Sequence, residues 1–127
     1  MFSLNSTNNY YLYQPATDMR NSFNGLSGII QSNMNQNPLS GDVYMFINKQ
    51  KDRIKLLRWE HGGFVLYYKR LEQGTLSHPK QIKTGSSHKI SWPELVMMVE
   101  GIVVEKYRQK VRFHTRSEGQ NNLQKPL

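Results

Sequence analysis

The spacing of apolar residues changes along this chain, and each change marks an element. Tyr10 to Gln14 (YYLYQ) is short, aromatic and stopped by Pro15, which suits an edge strand. From Asp18 onward Met19, Phe23, Leu26, Ile30 and Met34 recur every three or four residues, a helical period, with Thr17 placed as N-cap and Asp18 in the first turn. Gly25 and Gly28 interrupt that helix, and each disfavours it by about 1 kcal/mol relative to alanine. Close packing of the helix on a sheet accounts for them, with a kink or contact site as the alternative. Asn35 to Gly41 reads as a loop.

Three strand-like runs follow, Val43 to Asn48, Arg53 to Trp59 and Phe64 to Arg70, joined by segments of hairpin length. Alternation puts Arg53, Lys55, Leu57 and Trp59 on one face of the middle run and Ile54, Leu56 and Arg58 on the other. Gly74 to Lys89 is a polar connection with room for one short strand near Gln81 to Lys83. Ser91-Trp92-Pro93-Glu94 has capping-box spacing and an early proline, and opens a helix over Leu95 to about Val103, with Gly101 a candidate stop. Val104 to His114 alternates charge with apolar residues and fits either a last strand or a helix extension. The expected fold is α+β, a single domain with an antiparallel β-meander of about four to five strands packed with two helices.

Composition sets the limits of that domain. The 127 residues suffice for one core. Residues 1–9 and 115–127 are polar and rich in Asn, Ser and Gln, so they are expected to be disordered and the domain to span 10–114. The chain has no cysteine, which excludes disulfides, thiolate zinc sites and cysteine nucleophiles. No signal peptide or long apolar run is visible, so a cytoplasmic protein without a membrane partner is expected.

Charge changes the picture more. Of the formal net charge of +8, residues 49–89 carry +7, from ten Lys or Arg against Asp52, Glu60 and Glu72. A clustered excess of this kind attracts phosphate-bearing partners. Lys49, Lys51, Arg53 and Lys55 follow at period two, which on an extended strand sets side chains about 6 to 7 Å apart, a spacing that tracks a phosphate backbone. Arg58, Lys69, Arg70, Lys80 and Lys83 extend the set of candidate DNA contacts. Trp59 and Phe64 are assigned to the core, whereas one of the adjacent Tyr67 and Tyr68 faces outward and could stack on a base.

Catalytic chemistry finds little support. His61, His78, His88 and His114 lack ligand spacing, and the nine acids are scattered, mostly beside bases, so no cofactor or metal is expected. Asp18 beside Arg20, Asp52 beside Arg53 and Glu72 beside Arg70 read as local charge neighbours. No P-loop, nucleophile elbow or dinucleotide fingerprint occurs.

Asp18-Met19-Arg20 with Phe23, Gly25 and Leu26, the run Ser40 to Phe46, Lys55-Leu56-Leu57, Trp59, Gly63-Phe64 and the run Tyr67 to Gly74 resemble one known family. It is the small second-frame accessory protein of the insertion-sequence-sixty-six group of bacterial transposable elements, often labelled TnpB. The similarity runs from about Tyr10 to Gly101; Arg58 and Glu60-His61 depart from the usual Tyr and Asp beside the tryptophan. The resemblance implies a product encoded beside a separate large transposase and aiding movement of the element, and it carries over no catalytic residues.

These readings converge on a non-catalytic accessory factor that contacts transposon ends through a basic sheet surface, with the transposase as second partner, nucleoid-associated when bound to DNA. The alternative is a protein-interaction module that binds only the transposase, through Asp18 to Ile30 or the helix after Ser91.

Overall fold

The computed structural model describes residues 4–76 and 87–100. The strand expected near Gln81 to Lys83, Lys80 and Lys83 themselves, Gly101, and the segment 104–114 lie outside the described residues.

In chain order the elements are β1 (Tyr10–Tyr13), α1 (Phe23–Ser32), β2 (Val43–Ile47), β3 (Arg53–Glu60), β4 (Gly63–Arg70), β5 (Ser87–Ile90) and α2 (Trp92–Glu100). The five strands form one sheet in the order β4-β3-β2-β1-β5. The α+β class and the β2-β3-β4 meander therefore hold, but the sheet is mixed. β1 pairs with β2 in parallel, Tyr10 opposite Val43, and with β5 in antiparallel, Tyr10 opposite Ile90. This corrects the assignment of β1 as an edge strand: Pro15 lies beyond the paired residues, so it leaves the ladder intact.

The meander closes through a two-residue turn. Glu60 pairs with Gly63, and His61 and Gly62 both have positive φ, 51° and 82°. That is the type I′ geometry that matches the twist of the flanking strands. The β2-β3 turn is held differently. Asn48 is buried, its Oδ1 accepts the backbone N–H of Asp52 and of Arg53, both at 3.0 Å, and its Nδ2 donates to Asp52 Oδ1 at 2.6 Å. Lys51, at φ 60°, forms the left-handed corner of this turn.

Two apolar clusters lie on opposite faces of the sheet. Leu26, Ile30 and Met34, from α1 and the residues after it, pack with Tyr13, Tyr44, Phe46 and Leu57. From α2, Leu95, Met98 and Val99 pack with Tyr10, Leu12, Met45, Ile54, Leu56 and Ile90. With a helix on each side, β2 is buried at all five positions and shows no alternation.

Both helix starts have local causes, and only one matches the sequence pattern. At α2 the capping box is made as spaced: Ser91 N–H donates to Glu94 Oε1 at 2.9 Å and Glu94 N–H to Ser91 Oγ at 3.3 Å. α1 begins at Phe23, later than Asp18, and Thr17 does not cap it. Thr17 is instead buried, with its N–H donating to Ile47 O at 2.8 Å and its hydroxyl oxygen without a hydrogen-bond partner. Asp18 makes a tight turn, accepting the Arg20 N–H at Oδ1 at 2.8 Å and the Asn21 N–H at its carbonyl at 3.1 Å. Neither glycine of α1 has the sheet as its nearest surroundings. A Cβ on Gly25 would meet the Asn21 side chain, and one on Gly28 would meet nothing within 4 Å, so close sheet packing is not the reason for either.

Candidate nucleic-acid interface

The basic residues that looked like one ladder are divided by the fold into three groups. Strand alternation keeps Arg53 and Lys55 on the α1 face, where β4 adds Tyr68 opposite Lys55 and Arg70 opposite Arg53. Arg58 and Lys69 fall on the α2 face. Lys49 and Lys51 belong to the β2-β3 turn, both exposed, where the left-handed residue breaks any period-two projection.

Lys55 is not a surface base. It is 4% exposed, and its Nζ donates to Met19 O at 2.9 Å and Asn21 O at 2.6 Å while standing 4.6 Å from the centroid of the Tyr68 ring. A buried ammonium needs such partners, and these two carbonyls face it because the chain before α1 has not yet entered the helix. Its expected place in the DNA-contacting ladder is therefore corrected: Lys55 pins the 18–22 segment to the sheet. Lys69 is likewise engaged, donating from Nζ to Val99 O at 2.7 Å in the last turn of α2, a favourable place for a cation. Arg58 Nε donates to Gly41 O at 3.2 Å.

What stays open is the corner of the sheet that α1 does not reach. Arg53 and Arg70 stand directly opposite each other there, a like-charge pairing that opposes folding. Glu72 relieves one of them, with an oxygen 2.9 Å from Arg70 Nη2. Arg20 is paired with Asp18, at 2.6 Å, whereas Arg53 has no carboxylate partner among the described residues. The hydrogen bond from its guanidinium is long, 3.5 Å from Nη1 to the Tyr68 hydroxyl.

Next to this corner lies an open cleft of about 700 Å³ between Ala16 to Arg20 on one side and the β2-β3 turn, Arg53 and Tyr68 on the other. Arg20 holds the Asp18 carboxyl down to about 2, chiefly through the side-chain hydrogen bond, so the acid on this rim is charged and already paired. The rim residues Asp18 and Arg20 were legible only as local charge neighbours; that they border the cleft is a tertiary fact without a sequence signal.

Tyr67 and Tyr68 divide as alternation requires. Tyr67 packs against the α2-side core, and Tyr68 is 48% exposed on the other face. Trp59 and Phe64 meet edge to face, with ring centroids 5.0 Å apart; Phe64 packs on the α1-side core, and both stay half-buried. Among the described residues no group of three or more His, Asp or Glu is placed to hold a metal ion, and no helix is long and apolar enough to cross a membrane.

The family described as IS66 Orf2 like protein matches residues 8–109, a span that contains every described element. The chain belongs to that family. Two relatives are Uncharacterized protein y4jC of Sinorhizobium fredii, 31% identical over 73% of this chain and 78% of the relative, and Uncharacterized protein y4hO of the same organism, 32% identical over 68% and 73%. No solved structure matches the chain. As an IS66 Orf2-like protein it is the product of an insertion-sequence frame, and so is connected with transposition. Trp59 and Phe64, which carry part of the sequence resemblance, lie at the turn end of β3 and β4, away from Arg53 and Arg70, and Tyr67 packs on the α2-side core.

Proposed function

We propose that this IS66 Orf2-like protein is a non-catalytic accessory factor of transposition that holds element DNA at the Arg53-Arg70 corner. Lys49 and Lys51 on the adjoining turn supply further phosphate contacts. The observation that carries the reading is the like-charge pair of Arg53 and Arg70 on a part of the sheet left uncovered by α1, with Arg53 lacking a carboxylate. A polyanion relieves the repulsion between such groups, whereas fold stability does not call for the pair. Lys80 and Lys83 belong to the same basic stretch of sequence and are proposed as further contacts. Contacts of this type supply affinity and register, not choice of sequence.

The reading is tested by a mobility shift against terminal-repeat DNA over a range of salt. The four contacts from Arg53, Arg70, Lys49 and Lys51 give a slope of log K on log salt of about −4, and about −5 if Lys80 and Lys83 join them. Charge reversal at Lys51 and Arg53 flattens it; a wild-type plot without slope refutes the reading. A second reading, docking on the transposase alone, has one observation in its favour, the 43% exposure of Phe23 at the start of α1. Co-purification with transposase that survives nuclease and high salt, with no DNA shift by the isolated protein, would establish that version instead.

A further inference from the structure

The basic corner carries an aromatic surface as well as charge. Tyr68 lies within β4, an edge strand of the sheet, and is 48% exposed, with Lys55 as its neighbour across the ladder. The Lys55 ammonium stands 4.6 Å from the ring centroid and is itself fixed by the Met19 and Asn21 carbonyls. A buried, immobilised cation thus supports one face of the ring. Tyr68 lines two concavities, the cleft of about 700 Å³ and, with Arg53, Arg70 and Glu72, a hollow of about 320 Å³. Two guanidinium groups stand beside a supported aromatic ring that borders open space.

This arrangement suits a partner that is both flat and anionic. In a duplex the base faces are covered by their neighbours, so the ring has nothing to stack on. In a single strand each base offers a face while its phosphates remain within reach of flanking cations. We propose that this corner binds single-stranded DNA, with one unpaired base stacked on Tyr68 and the adjoining phosphates on Arg53 and Arg70. The inference rests on the DNA-binding reading above and narrows it from element DNA in general to an unpaired or splayed strand.

Fluorescence anisotropy with the full chain compares an oligo(dT) strand, a duplex of equal length and oligo(rU) at one salt concentration. The strand is expected to bind at least tenfold more tightly than the duplex. Tyr68→Leu is expected to weaken strand binding by about tenfold or more while leaving duplex binding unchanged, and Tyr68→Phe, which keeps the ring, to bind as wild type. Should Tyr68→Leu fail to fold, photocrosslinking of a 5-iododeoxyuridine strand to the wild-type protein decides the matter, with the adduct expected at Tyr68. Equal affinity for strand and duplex, equal losses for both in Tyr68→Leu, tighter binding of oligo(rU) than of oligo(dT), or an adduct mapping away from this corner would overturn the proposal. Salt-dependent duplex binding without a preference for the strand would leave the broader DNA reading intact, whereas salt-independent or absent binding of every probe would remove both.

Discussion

Replacing Lys55 by methionine separates a structural base from a DNA-contacting one. The substitution keeps the length and volume of the stem and deletes the ammonium. Two hydrogen bonds to a charged donor are lost, at 2.9 and 2.6 Å, each of a kind that contributes about 1.5–3 kcal/mol. The contact with Tyr68 adds about 0.5–1 kcal/mol. Against this, the wild-type protein bears the desolvation of a buried ammonium, an effective penalty of several kcal/mol that methionine removes. The two abandoned carbonyls belong to a surface segment, since Asp18 and Arg20 are exposed, so water replaces much of what is lost. The balance is a destabilisation of about 1–2 kcal/mol, which lowers the Tm of a domain of this size by roughly 3–10 °C. Thermal and urea unfolding measure it, with an unchanged urea m-value showing that the native state is still compact. The decisive comparison is salt-dependent DNA binding: Lys55→Met is expected to keep the wild-type slope, and Arg53→Gln to lower its magnitude by about 1. A Lys55→Met protein that melts with wild type and loses about one unit of slope would refute the structural role of this lysine.

Gly28→Ala is expected to stabilise the protein by about 0.5–1 kcal/mol, because the added methyl enters open space on a helix. Gly25→Ala must displace the Asn21 side chain and is expected to gain less, so equal urea midpoints for the two variants would contradict the geometry. The Asp18 carboxyl, held at about 2 against an ordinary 3.8, is expected to show that midpoint by NMR titration and to return to the ordinary range in Arg20→Ala. Because the folded value is the lower one, the contribution of this group to stability is present above about pH 4 and disappears as pH falls through about 2.

The limits of the sequence reading follow from what periodicity encodes. It assigned Lys55 and Tyr68 to strands and gave Lys55 its face correctly, but a period of two does not say whether a face is covered. Periodicity alone therefore predicts a solvent-facing base at Lys55, although the segment before α1 folds over it. Met19 fitted the helical repeat, yet its carbonyl is claimed by Lys55, and the helix starts later. α2 was legible because Ser91 and Glu94 make the bonds that their spacing implies. The two-residue His61-Gly62 turn was legible as a hairpin for the same reason: local chemistry decides it. β5 was missed, since Ser87 to Ile90 contains one apolar residue, and its strand character comes from pairing with β1. The neighbours of β1 lie far away in sequence, which no local pattern records.

That placement of β1 governs the order in which the chain can complete itself. The β2-β3-β4 meander joins segments adjacent in sequence and can form from local encounters. β1, by contrast, awaits Val43 on one side and Ile90 on the other. At synthesis rates of about 5–20 residues per second, its second side stays bare for on the order of ten seconds after the strand is made. During that interval Tyr10 to Tyr13 presents a row of unpaired backbone N–H and C=O groups flanked by largely apolar side chains, an edge of the sort that recruits foreign strands. The nascent protein is thus most exposed to mispairing at its beginning, and the arrival of β5 ends that exposure.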